Sequence, residues 1–206
     1  MQVARPRNDP SREPTAARIL RHARAAFAAK GFEEASLADI ARAAGVRAPT
    51  VLHHYGSKEQ LYDAVLRAFY ADLTRTLGAP LLQATAEHGS AVTALFTVLR
   101  DLPEPDRDLL VTVVTEVVHG GRGADTIADA VEPLFALLTP VVTAELPHLS
   151  AAQARPRLLM ASLLVLFAVP SARTPPGLER LRKLVWAEPG DALPLALGLL
   201  APPGGD

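Results

Sequence analysis

A chain of 206 residues with 49% hydrophobic content can bury one or two cores, and its lack of cysteine excludes disulfides and thiolate metal sites. The net charge of -1 hides an asymmetry: residues 1–58 carry ten Lys and Arg against five Asp and Glu, a net of +5, which leaves -6 for the rest. A basic module on an acidic body is the charge pattern of a DNA reader whose body stays off the phosphates, with a chance asymmetry of a solvated surface as the plain alternative.

Residues 1–14, MQVARPRNDPSREP, are polar and interrupted by Pro6, Pro10 and Pro14, so they read as a disordered arm. No apolar run follows the charges as it would in a signal peptide, and cytoplasmic residence is the expectation. Thr15 is a candidate cap for a first helix to about Ala29, with Ile19, Ala23, Ala26 and Phe27 inward, Arg18, Arg21 and Arg24 outward, and Gly31 closing it. Ser36 suits an N-cap, because its hydroxyl can accept from an orphan N–H in the first turn. Leu37, Ile40, Ala41 and Ala44 then fall on one face of a second helix. Gly45 follows, where a helix end favours a left-handed backbone. Pro49 fits the first turn of a third, short helix whose buried edge is Val51 and Tyr55. Helix, glycine turn and helix together match the helix-turn-helix, whose second helix lies in the major groove. A fourth helix is expected over residues 58–77, with Leu61, Tyr62, Val65, Phe69 and Leu73 as its apolar stripe.

The remainder shows helical patterns broken by glycine and proline, with helices expected near 80–87, 90–102, 105–119, 124–146, 150–169, 177–187 and 192–200. Val111 to Val118 is β-branched, yet no partner strand is in sight and the run is long enough for three helical turns. Pro133 and Pro140 should kink or split their helix. The most apolar segment, Leu158 to Val169, spans about twelve residues against the roughly 18 a membrane span needs, so a buried helix and no membrane contact are expected. The fold class is all-α, with an arm over 1–14, a helix-turn-helix DNA-binding domain over 15–60, and a helical regulatory and dimerisation domain over 61–206.

Three ordered blocks, RILRHARAAFAAKGF, SLADIARAAGV and TVLHHYGSKEQLYDAVL, make the region from Thr15 to Phe69 resemble the TetR family of bacterial transcriptional regulators. The likeness fades beyond about Tyr70. Three positions depart from the commonest pattern: Arg47 where a helix-capping serine is frequent, Leu52 where tyrosine is usual, and Tyr55 where phenylalanine is usual. Leu52 removes a hydroxyl that often reaches a phosphate in relatives, while Tyr55 keeps the aromatic packing and adds a polar tip. The resemblance implies double-stranded operator DNA as partner and places DNA contacts at Ser36, Arg47, Ala48, Pro49, Thr50, Leu52, His53, His54 and Lys58.

Each of these side chains brings a different chemistry. The Arg47 fork suits guanine O6 and N7, and equally a phosphate. Ala48 and Pro49 offer apolar contact such as a thymine methyl, Thr50 and His54 can donate to phosphates, and His53 projects one turn after Pro49. Lys58 is a point charge at a helix start, toward a phosphate or merely toward solvent. Ser36 can aim its helix N-terminus at a phosphate, and Leu52 either packs inward or touches DNA. Adjacent histidines on a helix point about 100° apart and cannot chelate one ion together, so no metal site is expected.

In the acidic half, Thr112, Thr115, Glu116 and His119 form a polar stripe on an otherwise aliphatic helix. They either orient a small molecule in an apolar cavity or form a solvent face. Phe96, Phe135, Phe167 and Trp186 line a cavity or simply pack a core. Leucines around residues 158–167 cover nearly every side of their helix, which points to a partner subunit beyond the body's own core, or to a central helix of a monomer. The resemblance implies a two-fold homodimer joined by late helices, with Leu159, Leu163, Leu166 and Phe167 as candidate contacts. The expected function is a sequence-specific DNA-binding repressor released by a small apolar or amphipathic effector, without cofactor or catalysis. A regulator lacking an effector is the nearer alternative, and a helical ligand-binding protein or enzyme the farther one.

Overall fold

The computed structural model describes residues 13–87, 89–118, 124–170, 176–185 and 192–201. Among the described residues the chain is all-α: α1 (Thr15–Glu34), α2 (Leu37–Ala43), α3 (Ala48–Tyr55), α4 (Lys58–Glu87), α5 (Ala91–Arg100), α6 (Glu104–Val118), α7 (Ala124–Glu145), α8 (Ala151–Ala168), α9 (Pro176–Val185) and α10 (Ala192–Leu200). Two compact units divide between Val65 and Leu66, inside α4. The boundary lies beyond residue 60 because the first turns of α4 belong to the first core. There Leu61, Tyr62 and Val65 are buried, and the Tyr62 ring meets Phe27 edge-on at 4.9 Å and Phe32 at 5.2 Å.

Several element ends differ from the sequence expectation. Pro14, rather than Thr15, holds the cap position of α1, and no side chain caps it. Gly31 closes the regular path of the first helix as expected, at φ 73° and ψ 178°, but α1 resumes beyond this kink and carries Phe32 into the core. The break expected near Gly78 and Pro80 is absent, since α4 runs on to Glu87. Pro133 and Pro140 likewise lie inside a single α7 rather than splitting it. In both helices the surrounding context overrides local propensity. Residues 1–12 of the expected arm, together with His119 and Trp186, lie outside the described residues.

In the second unit, α8 packs against α10, α7 and α5. Side chains fasten the helix ends. Glu145 at the end of α7 accepts from the Ala91 and Val92 amides at 2.7 and 3.2 Å and from the Ser90 hydroxyl, whose oxygen in turn accepts from the Thr93 amide at 3.0 Å, so the two side chains share the orphan donors that open α5. His148 reaches the Leu200 carbonyl at 2.8 Å and ties the turn before α8 to the end of α10. The buried Arg182 guanidinium grips Glu179 at 2.7 and 2.8 Å and donates to the Ala168 carbonyl at 3.3 Å, fixing α9 to the end of α8.

By length and composition α7 and α8 are each apolar enough to cross a membrane. Glu132, midway along α7, pairs with Arg155 of α8 at 2.9 Å with both side chains substantially exposed, a position that hydrocarbon would penalise.

Candidate nucleic-acid interface and effector cavity

The first unit is assembled by polar clamps around an apolar centre. Ile19, Ala23 and Phe27 of α1, Ile40 and Ala41 of α2, Ala44 and Val51 are fully packed. Ser36 caps α2 by accepting from the Ala38 amide at 3.2 Å. At the other end Gly45 adopts φ +65°, which lets its own N–H reach the Arg42 carbonyl at 3.1 Å and the Val46 N–H reach Ala41 at 2.9 Å. Arg18 completes this end, since its Nε donates to the Ala44 carbonyl at 2.7 Å. The Tyr55 hydroxyl donates to the Ala16 carbonyl at 2.8 Å, so the polar tip that distinguishes it from phenylalanine clamps the end of α3 to the first turn of α1. Burial of the phenol raises its pKa above the ordinary tyrosine value and keeps it a neutral donor.

What this leaves outward is the surface of α3 and its approach. Arg47 sits at the N-cap in extended conformation without capping α3 through its side chain, and it is exposed. Its guanidinium has no ion pair or hydrogen bond among the described residues. Pro49, His53 and His54 are exposed, Ala48 and Thr50 half-buried. Leu52 is 43% exposed, so of its two expected orientations it takes the outward one. The two histidine rings stand 5.6 Å apart and tilted by 68°, and among the described residues no group of three potential ligands gathers around a metal position.

Lys58 is half-buried and already engaged. Its Nζ donates to the Glu33 carbonyl at 3.0 Å and lies 4.6 Å from the Phe32 ring centre, bracing the last turn of α1. An ammonium has three donors, so others remain for a phosphate. Neither the Arg18 nor the Tyr55 clamp was anticipated from sequence. The tyrosine in place of phenylalanine was the signal for the second, and nothing local signals the first.

In the second unit a cavity of about 90 Å³ is walled by α4, α5, α6, α7 and α8, with Tyr70, Leu95, Leu110, Phe135 and Leu163 among its lining. Thr112 is buried and its Oγ1 has no partner among the described residues, but it does not line this cavity; Leu110 of the same helix does. The side chains of Thr115, Glu116 and His119 lie outside the described residues. Of the four candidate dimer contacts, Leu159, Leu163 and Leu166 stand on the cavity wall and Phe167 is half-buried beside them. The outward apolar surface of α8 is carried by Met160, 58% exposed, with Leu159 at 45%.

Residues 19–65 match the family described as "Bacterial regulatory proteins, tetR family". The HTH-type transcriptional repressor KstR2 of Rhodococcus jostii (strain RHA1) is 43% identical over 47 residues, 23% of each chain, so the match spans about a quarter of that relative's length. Among solved structures, the fatty acid degradation regulator FadR from Bacillus halodurans superposes with TM-score 0.68 at 17% identity over 92% of this chain and 96% of that one. FadR from Bacillus subtilis, solved in complex with stearoyl-CoA, gives 0.59 at 15% identity over 89% and 94%. At these identities the structural likeness concerns the fold alone, whereas the sequence match falls on the α1–α4 module just described. Residues 19–65, the α1–α4 module, are thus similar to the N-terminal domain of the TetR family of bacterial regulatory proteins.

Proposed function

We propose that this protein is a cytoplasmic, homodimeric transcriptional repressor that holds operator DNA through α3 of each protomer and leaves it when a small apolar or amphipathic molecule fills the second unit's cavity. The observation that carries the reading is the division of labour in the first unit. Arg18, Tyr55 and Lys58 fasten the helices to one another, while Arg47, Pro49, Leu52, His53 and His54 stay outward on one short helix and its approach. Arg47 serves base reading, Ala48, Pro49 and Leu52 give apolar contact, and Ser36, Thr50, His53, His54 and Lys58 face phosphates.

The cavity supports release because Tyr70 and Leu73 of its wall belong to α4, the helix that begins at Lys58 beside the reading module. A molecule that packs better against one position of α4 shifts the population toward it. Two reading helices must meet half-sites ~34–36 Å apart, so a small change in their separation loses one contact set. Met160 and Leu159 on α8, with Leu195 and Leu199 on α10, supply the apolar surface for the second protomer. The hydrocarbon wall also agrees with the acyl ligand of the Bacillus subtilis relative, and no step requires catalysis.

Selection of bound fragments from genomic DNA, followed by anisotropy titration on the recovered duplex, tests the proposal. Tight binding to recovered fragments and weak binding to scrambled ones is expected; equal affinity for both would overturn it.

A further inference from the structure

The wall of the second unit's cavity is hydrocarbon except at two side chains, Tyr70 on α4 and Ser162 on α8. None of the lining residues carries a charge. Tyr70 is 6% exposed, and neither its hydroxyl nor that of Ser162 has a hydrogen-bond partner among the described residues. Burial pushes the Tyr70 phenol up to about 12, so near neutral pH it is an uncharged group able both to donate and to accept. Unpaired hydroxyls on residues that line an otherwise apolar space are polar groups open to a partner, and small-molecule sites use a few such groups to fix orientation.

From this wall we infer that the cavity takes an uncharged ligand, a hydrocarbon body carrying one hydroxyl or carbonyl that Tyr70 and Ser162 hold between them. Tyr70 and Ser162 are then the specificity-determining contacts, and the leucines around them supply affinity without selectivity. A carboxylate or ammonium in the same place would lose its hydration with no counter-ion on the wall, whereas a hydroxyl or ketone exchanges water for two side-chain hydroxyls. The inference deepens the effector reading and rests on this cavity being the effector site. It adds the charge class of the ligand and the two residues that recognise it.

A matched octyl series tests it on the full-length protein: 1-octanol, 2-octanone, octanoate and octylammonium, each titrated by calorimetry near neutral pH and then added to a protein–operator complex. Octanol and octanone should bind, and the two ions at least about tenfold more weakly. Tyr70→Phe and Ser162→Ala should each weaken octanol by roughly two- to tenfold, the range of one neutral hydrogen bond, while leaving the melting temperature close to wild type. Should Tyr70→Phe fail to fold, Ser162→Ala carries the same reading, and Leu163→Trp, which fills the cavity from its wall, should abolish octanol binding. Octanoate binding as tightly as octanol, or both hydroxyl variants binding octanol like wild type, would overturn the inference. Octanol binding without loss of operator would instead overturn the effector reading and leave the ligand class standing. Release by octanoate alone would do the reverse, and binding by none of the four would overturn both.

Discussion

Removing the two clamps on the first turn of α1 should loosen the reading helices by an amount the geometry fixes. Tyr55→Phe deletes a 2.8 Å bond from a half-buried phenol to the Ala16 carbonyl and leaves the ring packing in place. That carbonyl keeps its place in the helical ladder, so no acceptor is orphaned, and the loss belongs at the low end of the range for a neutral bond, about 0.5–1 kcal/mol. Arg18→Met deletes the 2.7 Å bond to the Ala44 carbonyl, at a helix end that has fewer alternative donors. A charged donor in a half-buried site makes that loss about 1–1.5 kcal/mol. Both bonds hold the same turn of α1, one to the end of α2 and the other to the end of α3, so the double variant should depart from additivity by ~0.5 kcal/mol or more. Native-state hydrogen exchange at the Val46 and Thr50 amides reads these openings directly, because about 1 kcal/mol corresponds to roughly fivefold faster exchange. Exchange at both amides unchanged in both single variants would refute the clamp argument. Strict additivity would refute the shared-turn part of it.

The remaining expectations concern the turn, the interface, the dimer and the cavity. Gly45→Ala places a Cβ that meets nothing within 4 Å, so only the φ of +65° costs; about 1–2 kcal/mol of left-handed strain, less the entropy gained in the unfolded chain, gives a net loss near 1 kcal/mol in urea titration. A loss of several kcal/mol there would mean that the turn is crowded. Arg47→Ala should relax preference at one base position by about 1–3 kcal/mol in anisotropy titrations, against a uniform loss on all duplexes if it only touches phosphate. Met160→Glu on α8 should yield a monomer by light scattering with little change in melting, because its side chain is exposed within the protomer; a wild-type monomer at micromolar concentration would exclude the dimer. Tyr70 sets an alkaline limit: the folded state holds its proton to about 12 while the unfolded chain releases it near 10, so stability intact below pH 10 falls through pH 12. The loss should approach 2–3 kcal/mol and vanish in Tyr70→Phe.

Periodicity and capping make the helices of the first unit legible in the sequence. Ser36, Gly45 and Pro49 each stand where a backbone N–H, a positive φ or a missing N–H demanded that residue type, and such demands are local. Gly31 marks the break in α1 for the same local reason, whereas the short continuation beyond it depends on the packing of Phe32 against Tyr62, which no local pattern carries. The span of α7 matches the expected 124–146 with its two prolines inside, while the continuation of α4 past Pro80 is set by context that a local proline cost does not include. The cavity was harder still. Thr112 belongs to a polar stripe on one helix, whereas the wall is assembled from five helices, and its polar pair, Tyr70 and Ser162, is separated by more than ninety positions. No one-dimensional pattern carries such a pairing. The leucines of α8 illustrate the same limit: their all-round distribution announced two buried faces, and one of those faces proves to be the cavity wall.

Everything proposed for this protein depends on two α3 helices reading one duplex. Footprinting on an operator recovered from genomic DNA, repeated across a salt series, tests it most directly. Two protected half-sites are expected, with centres ~34–36 Å or a multiple apart and affinity falling steeply as salt rises because several phosphate counter-ions are released. A single protected patch, or affinity indifferent to salt, would contradict it.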